Sequence, residues 1–134
     1  MNMRQITKII IHCSATPEGA DISASQIDKW HRRRGFKSIG YHFVIRLDGT
    51  IEPGRDISLI GAHCKGHNAA SIGICYIGGV DKNGKPKDTR TPAQSEALRG
   101  LVGRLKESFP EATVHGHNEF SSKACPSFDV SRNL

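Results

Sequence analysis

I-T-K-I-I-I-H, residues Ile6 to His12, is the stretch on which the fold turns. Ile9, Ile10 and Ile11 are β-branched and uninterrupted by polar residues, the pattern of a strand covered on both faces, as strands are when helices lie on each side of a parallel sheet. His12 closes that strand. In an open α/β sheet the carboxyl ends of strands are where loops gather and ligands bind, so a histidine there is placed for chemistry, or for a structural hydrogen bond to a loop carbonyl. Cys13 points to the opposite side if the strand continues, and reads as a small buried hydrophobe.

Working outward, Thr16 to Gly19 is a loop, after which Ser23 caps a helix running to about Arg34, with Gln26 completing a capping box and Gly35 ending it. Ile27, Trp30 and His31 share one face of that helix, and Trp30 reads as core packing. Residues 39–46 and 50–52 flank Asp48-Gly49, a hairpin signal; Tyr41 begins the first strand and His42 faces the other way. Gly61 to Asn68 is a glycine-punctuated polar loop whose donors could line a groove. It leads into Ser71 to Gly79, a strand whose glycines permit close approach of another backbone. Asp81 to Lys87 is a lysine-rich turn region. Thr91-Pro92-Ala93-Gln94 opens a second helix with a cap, a proline at the first helical position and a capping-box glutamine. Ala97, Leu98, Leu101, Val102, Leu105 and Phe109 form its apolar stripe, and residues 112–115 return as a short strand. The order predicts a single α/β domain over residues 1–134, a mixed central β-sheet flanked by helices, with ligands gathered at the sheet edge and the C-terminal strand ends.

A chain of 134 residues suffices for one cored domain and is short for two. Its 37% hydrophobic and 24% charged content excludes neither an enzyme nor a binding module. The excess of 19 Lys+Arg over 13 Asp+Glu gives +6, which favours nucleic acid, an anionic membrane or a polyanionic cell wall as partner. The clusters at Lys29 with Arg32 to Arg34, and at Lys82, Lys85 and Lys87, read equally as solvated faces. Cys13, Cys64, Cys75 and Cys125 are widely separated and form no C-x-x-C, which argues against a disulfide framework. Met1 to Gln5 and the short apolar run behind them make neither a secretory h-region nor a membrane span, so retention in a cytosol-like compartment is expected.

Chemistry concentrates in V-H-G-H-N-E-F-S-S-K-A-C-P-S-F-D, Val114 to Asp129. Its imidazoles and thiol could ligate one metal ion, zinc being the natural candidate, but a hydrolytic site needs three protein ligands and an open fourth position. Another ligand must come from elsewhere, with His12 and the pair His63 and Cys64 as candidates. Spacing alone selects no triad among seven histidines and four cysteines.

Seven motifs, taken together, resemble the type 2 N-acetylmuramoyl-L-alanine amidases, a family that includes small phage lysozymes and is similar to the animal peptidoglycan recognition proteins. They are H-C-S-A-T at His12 to Thr16, G-Y-H-F at Gly40 to Phe43, L-D-G-T at Leu47 to Thr50, and G-A-H with G-H-N-x-x-S-I-G-I across Gly61 to Ile74. T-P-A-Q at Thr91 to Gln94, G-H-N-E at Gly116 to Glu119 and K-A-C-P-S-F-D at Lys123 to Asp129 complete the set, in the same order over nearly the whole chain. The resemblance implies one zinc ion held by His12, His117 and Cys125, with the fourth position open to water. It implies roles for Tyr41 and Lys123 beside the metal, and a substrate groove with His63 and Asn68 as contacts. His115 is left beside the site or at the surface. The bond cut would join the lactyl group of N-acetylmuramic acid to L-alanine of the stem peptide. The implied partner is peptidoglycan, with no membrane insertion, no separate wall-binding domain, a monomeric state and room for a regulatory protein partner.

The residue chemistry accords with that resemblance. Amide hydrolysis at neutral pH needs an activated water, stabilisation of an oxyanion and protonation of the leaving amine. Zinc lowers the pKa of water to about 7; Lys123 can set an ammonium near the oxyanion; Tyr41 can orient the water or donate to the carbonyl oxygen. Proton delivery to the amine falls to the metal-bound water or to Glu119, which otherwise reads as a carboxylate holding a ligand imidazole or as a surface residue. Rival readings are a metal-free muropeptide-binding module, a nucleic-acid or polymerase binder acting through Arg32 to Arg34, and a hydrolase with Cys125 as nucleophile. Because the substrate lies outside the membrane, the expectation is a lytic phage or prophage enzyme that accumulates in the cytoplasm and reaches the wall once a holin permeabilises the membrane.

Overall fold

The computed structural model describes residues 4–134; Met1 to Met3, the start of the segment read as lacking a secretory leader, lie outside the described residues. In chain order the elements are β1 (Lys8–Cys13), β2 (Thr16–Pro17), α1 (Ala24–Arg33), β3 (Phe43–Ile45), β4 (Ile51–Pro53), β5 (Ser71–Tyr76), β6 (Gly79–Val80), α2 (Pro92–Ser108), β7 (Thr113–Gly116) and α3 (Val130–Asn133). The main sheet runs β4-β3-β5-β1-β7, and β2 pairs with β6 apart from it. β3, β5, β1 and β7 are mutually parallel, and β4 runs antiparallel at one edge. The sheet is therefore mixed, as its sequence pattern predicts, with the isoleucine-rich β1 held between two parallel neighbours.

Alternation along the strands divides the core into two layers. Ile9, Ile11 and Cys13 of β1 and Ile72, Ile74 and Tyr76 of β5 pack against Leu98, Leu101, Val102 and Leu105 of α2. Val44 and Cys75 face the other way, toward Ala24 and Ile27 of α1. His12 falls on this α1 face, one residue before the end of β1.

The helix caps anchor this layering. Thr91 and Gln94 form the full capping box of α2, and the buried Gln94 amide also donates to the carbonyls of Ile45 (3.3 Å) and Ile77 (2.9 Å), which ties the helix start to the sheet. At α1 the Gln26 N–H donates to Ser23 Oγ, but the Gln26 side chain does not complete the box. Instead Glu52 Oε1 accepts from the Ala24 N–H at 2.9 Å, joining the helix to β4.

The β3–β4 hairpin closes differently from the two-residue turn that Asp48-Gly49 suggests. The Gly49 N–H donates to Arg46 O and Gly49 has φ 87°, so a four-residue turn ends on a left-handed glycine. β3 is also shorter than expected, and Tyr41 precedes it. Single bonds extend the pairing past the strand, since His42 N donates to Gly73 O and Arg55 N to Tyr41 O.

Candidate metal centre

Three separate pieces of backbone bring His12, His117 and Cys125 together. His12 lies one residue before the end of β1 and is 1% exposed. β7 pairs with β1 as far as Gly116 opposite Ile11, so the single 3-10 turn at His117–Glu119 begins where His12 lies. The Cys125 loop is pinned from both sides. Tyr76 Oη donates to Pro126 O at 2.7 Å, Ser127 Oγ to Gly79 O at 2.7 Å and Asn118 Nδ2 to Phe128 O at 3.2 Å, while the Arg90 guanidinium lies 3.5 Å from the Phe128 ring centroid. The outcome is that one ligand atom from each of His12, His117 and Cys125 lies within 4.8 Å of the other two. Cys125 Sγ is 3.8 Å from His12 Nδ1 and accepts from the Cys13 N–H at 3.2 Å. The Cys13 side chain meanwhile sits in the α2-side core, as its place in the strand predicts.

The electrostatics suit a cation. Nδ1 of His117 is buried without a hydrogen-bond partner, a costly state for an imidazole nitrogen unless a ligand takes its lone pair. Burial, with His63 and His117 adding to it, holds His12 well below the ordinary histidine range. Burial and then Lys123 lower His117 too, so both rings are neutral and free to coordinate. The Cys125 thiol is pushed up by its side-chain contact with the Cys13 thiol and by burial, against the opposing Cys13 N–H, so taking up a metal displaces a proton from sulfur. Two neutral imidazoles and one sulfur fit a borderline-soft divalent ion.

A pocket of about 270 Å³ opens over these three groups and is bordered by Tyr41 and Lys123. The Tyr41 ring centroid is 5.1 Å from that of His12, and burial, followed by the nearby cysteines, keeps its phenol protonated far above the usual range. Lys123 is exposed at the rim, two residues before Cys125.

His63 stands closer to the three donors than a groove contact needs to be. Its Nδ1 is 2.8 Å from His12 Nε2 and its Nε2 is 3.2 Å from Ser71 Oγ, so it holds the face of His12 turned away from Cys125. Burial, then His42 and His117, bring its pKa down to about 3. Cys64, its neighbour in the rival ligand pair, is not in the donor group. Asn68 Oδ1 accepts from the N–H groups of His63 (2.9 Å) and Cys64 (3.0 Å), which builds the loop that presents His63.

Glu119, expected beside the metal, is occupied elsewhere. One oxygen meets His115 Nδ1 at 2.8 Å, the other accepts the Gly116 N–H at 2.7 Å, and its carboxylate is not part of the pocket wall. It closes the turn that carries His117, and His115 is its partner.

Sequence reasoning missed His31, Arg34 and Phe36, all on the pocket wall. His31 Nδ1 accepts the Gly40 N–H at 2.9 Å, so its position on the apolar face of α1 reflects a fixed ring rather than packing alone. Only the fold of residues 35–40 back over the helix end puts these groups at the site, and no local signal encodes that.

The family model for N-acetylmuramoyl-L-alanine amidase matches residues 2–128. An endolysin of Enterobacteria phage K11 is 42% identical over 129 residues, covering 96% of this chain and 85% of its own length. Among solved structures, the N-acetylmuramoyl-L-alanine amidase LysC from Clostridium intestinale URNW superposes with a TM-score of 0.82 at 29% identity, over 95% of this chain and 79% of that one. A point mutant of Drosophila PGRP-LB in complex with tracheal cytotoxin superposes with a TM-score of 0.79 at 25% identity, over 92% and 76% of the two chains.

Proposed function

Because this chain belongs to the N-acetylmuramoyl-L-alanine amidase family and is an amidase of the endolysin type, we propose that His12, His117 and Cys125 hold a single zinc ion and that Tyr41 and Lys123 complete its catalytic centre. The observation that carries this reading is the convergence of those three donors within 4.8 Å, with a buried histidine nitrogen left unpartnered among them.

When bound, the ion supplies Lewis acidity toward the scissile carbonyl and lowers the pKa of water to about 7. The chain supplies the rest. Tyr41, protonated, donates its hydroxyl hydrogen toward the carbonyl oxygen of the amide between the lactyl group and L-alanine. Lys123 at the rim sets a positive charge against the oxyanion as it develops, in a pocket partly closed to water. His63, backed by Ser71, keeps the His12 ring turned so that Nδ1 faces Cys125. The Gly61 to Asn68 loop forms one wall of the groove that receives peptidoglycan.

Residues 1–134 act in this reading as one amidase domain, working as a monomer, with any regulatory protein docking outside the groove. No helix among the described residues is long and apolar enough to cross a membrane. The enzyme is made in the cytoplasm and acts on the wall after the membrane is permeabilised. The test is metal analysis of purified protein together with release of stem peptides from purified murein. One zinc per chain, and loss of release on chelation or in His117→Ala, are expected; full activity in metal-free protein would remove the zinc centre.

A further inference from the structure

The pocket over the three donors opens into a larger cleft of about 640 Å³, and the two share Arg34, Phe36, Ala62, His63, His117 and Lys123. Arg34, Lys65 and Lys123 line the larger cleft, and among the described residues no carboxylate does. Several other arginines are engaged by the fold. The Arg55 guanidinium donates to the carbonyls of Ile39, Ile60 and Ser38, Arg46 pairs with Asp21, and Arg90 pairs with Asp88.

Arg34 differs. Among the described residues its side chain enters no ion pair, and its guanidinium lies 5.1 Å from the Phe36 ring centroid, which leaves its edge donors free. Its charge reaches the pocket interior, where it adds to burial in lowering the pKa of His31 and opposes the rise that burial imposes on Tyr41.

A substrate with its scissile amide at the three donors has two arms. The lactyl carboxyl of the sugar is consumed in that amide, so the glycan arm is uncharged, whereas the peptide arm carries free carboxylates. A cationic cleft without acids therefore selects the peptide arm. Two extended residues span about 7 Å, so the first free carboxylate beyond the scissile bond stays close to the metal pocket. Arg34 borders both the pocket and the cleft.

We propose that Arg34 binds the first free carboxylate of the stem peptide beyond the scissile bond and makes the enzyme discriminate against peptides carrying a carboxamide there. The inference rests on the amidase centre described above. A guanidinium suits the task because its planar fork can bind a carboxylate through two parallel hydrogen bonds, which a lysine ammonium cannot do.

The probe is the released stem peptide, in acid form and with that one carboxylate converted to a carboxamide, titrated calorimetrically into the zinc-loaded enzyme. Wild type should bind the acid about tenfold more tightly. Arg34→Gln should bind both forms as weakly as wild type binds the carboxamide, and Arg34→Lys should fall between. Stem-peptide release from murein by Arg34→Gln should show a raised KM with kcat, zinc content and thermal midpoint unchanged. A preference that survives in Arg34→Gln, or equal affinities in wild type, overturns the proposal. Wild-type enzyme that binds with the expected preference yet releases no peptide would leave the carboxylate site standing and remove the catalytic centre instead.

Discussion

At His12 the two ring nitrogens have separate tasks. Nδ1 lies toward Cys125 Sγ at 3.8 Å and Nε2 meets His63 Nδ1 at 2.8 Å, so the second contact fixes which nitrogen carries the proton. If that is how the site is organised, His63→Phe, which keeps a ring but loses the bond, should weaken zinc affinity by about 10- to 100-fold. His63→Asn, which can restore an acceptor near the lost Nδ1, should recover part of that loss. Competition against a chromogenic chelator measures both, and unchanged affinity in both variants would reduce His63 to a groove residue. Tyr41 calls for a different readout. Its phenol is held protonated and it is not one of the three donors, so Tyr41→Phe should lower kcat by about 100-fold or more while zinc content stays at the wild-type level. Loss of zinc in that variant would assign Tyr41 to the scaffold.

β5 shows how an element can be specified for the sake of a neighbour. A Cβ on Gly73 would lie 2.6 Å from the His63 ring, and one on Gly61 would lie 2.8 Å from it, so the two glycines make the slot in which His63 stands. Gly73→Ala should therefore push His63 off His12, costing about 1–3 kcal/mol in stability by overpacking and lowering zinc affinity as His63→Phe does. Chemical denaturation and the chelator competition report the two effects, and a stable variant with native zinc affinity would show the slot to be loose. The sequence marks Gly73 as a glycine open to close approach by another backbone; what approaches is the His63 side chain, from a loop ten residues away. Elements whose signals are local were legible: the Thr91 to Gln94 cap and apolar stripe of α2, and the continuous isoleucines of β1. The resemblance supplied the His12, His117 and Cys125 set that spacing could not select. What escaped depends on tertiary contact. Glu52 of β4 takes the Ala24 N–H at the start of α1, Glu119 is taken by His115 and Gly116, and Arg34 and Phe36 reach the pocket through the chain reversal after α1.

Across the whole molecule, several buried imidazoles carry depressed pKa values, and that arrangement ties stability to pH. His42, which is not one of the three donors, shows the cause most directly. Its Nδ1 accepts the Gly73 N–H at 3.0 Å and its Nε2 faces Leu59 O at 2.9 Å, so a second proton would break the bond to Gly73 inside a site that is 1% exposed. Burial, with Arg4 and Arg55 nearby, brings His42 down to about 4, and His63 falls to about 3, against 6.5 for an ordinary histidine. Between those values the unfolded chain binds protons that the folded chain refuses, so stability rises with pH through this window. The contribution is complete above about pH 6.5 and is lost progressively as pH falls toward 3 to 4, on the order of 3 kcal/mol for His42 alone. That is a large share of the roughly 5–15 kcal/mol that holds a domain of this size together. Metal-free protein should accordingly show a urea midpoint that is flat above pH 7 and falls steeply below 6. His42→Gln, which offers no titrating group, should lie lower at neutral pH and fall less steeply with acid. A midpoint as steep in His42→Gln as in wild type would place the acid sensitivity on other groups, the carboxylates of the surface ion pairs first among them.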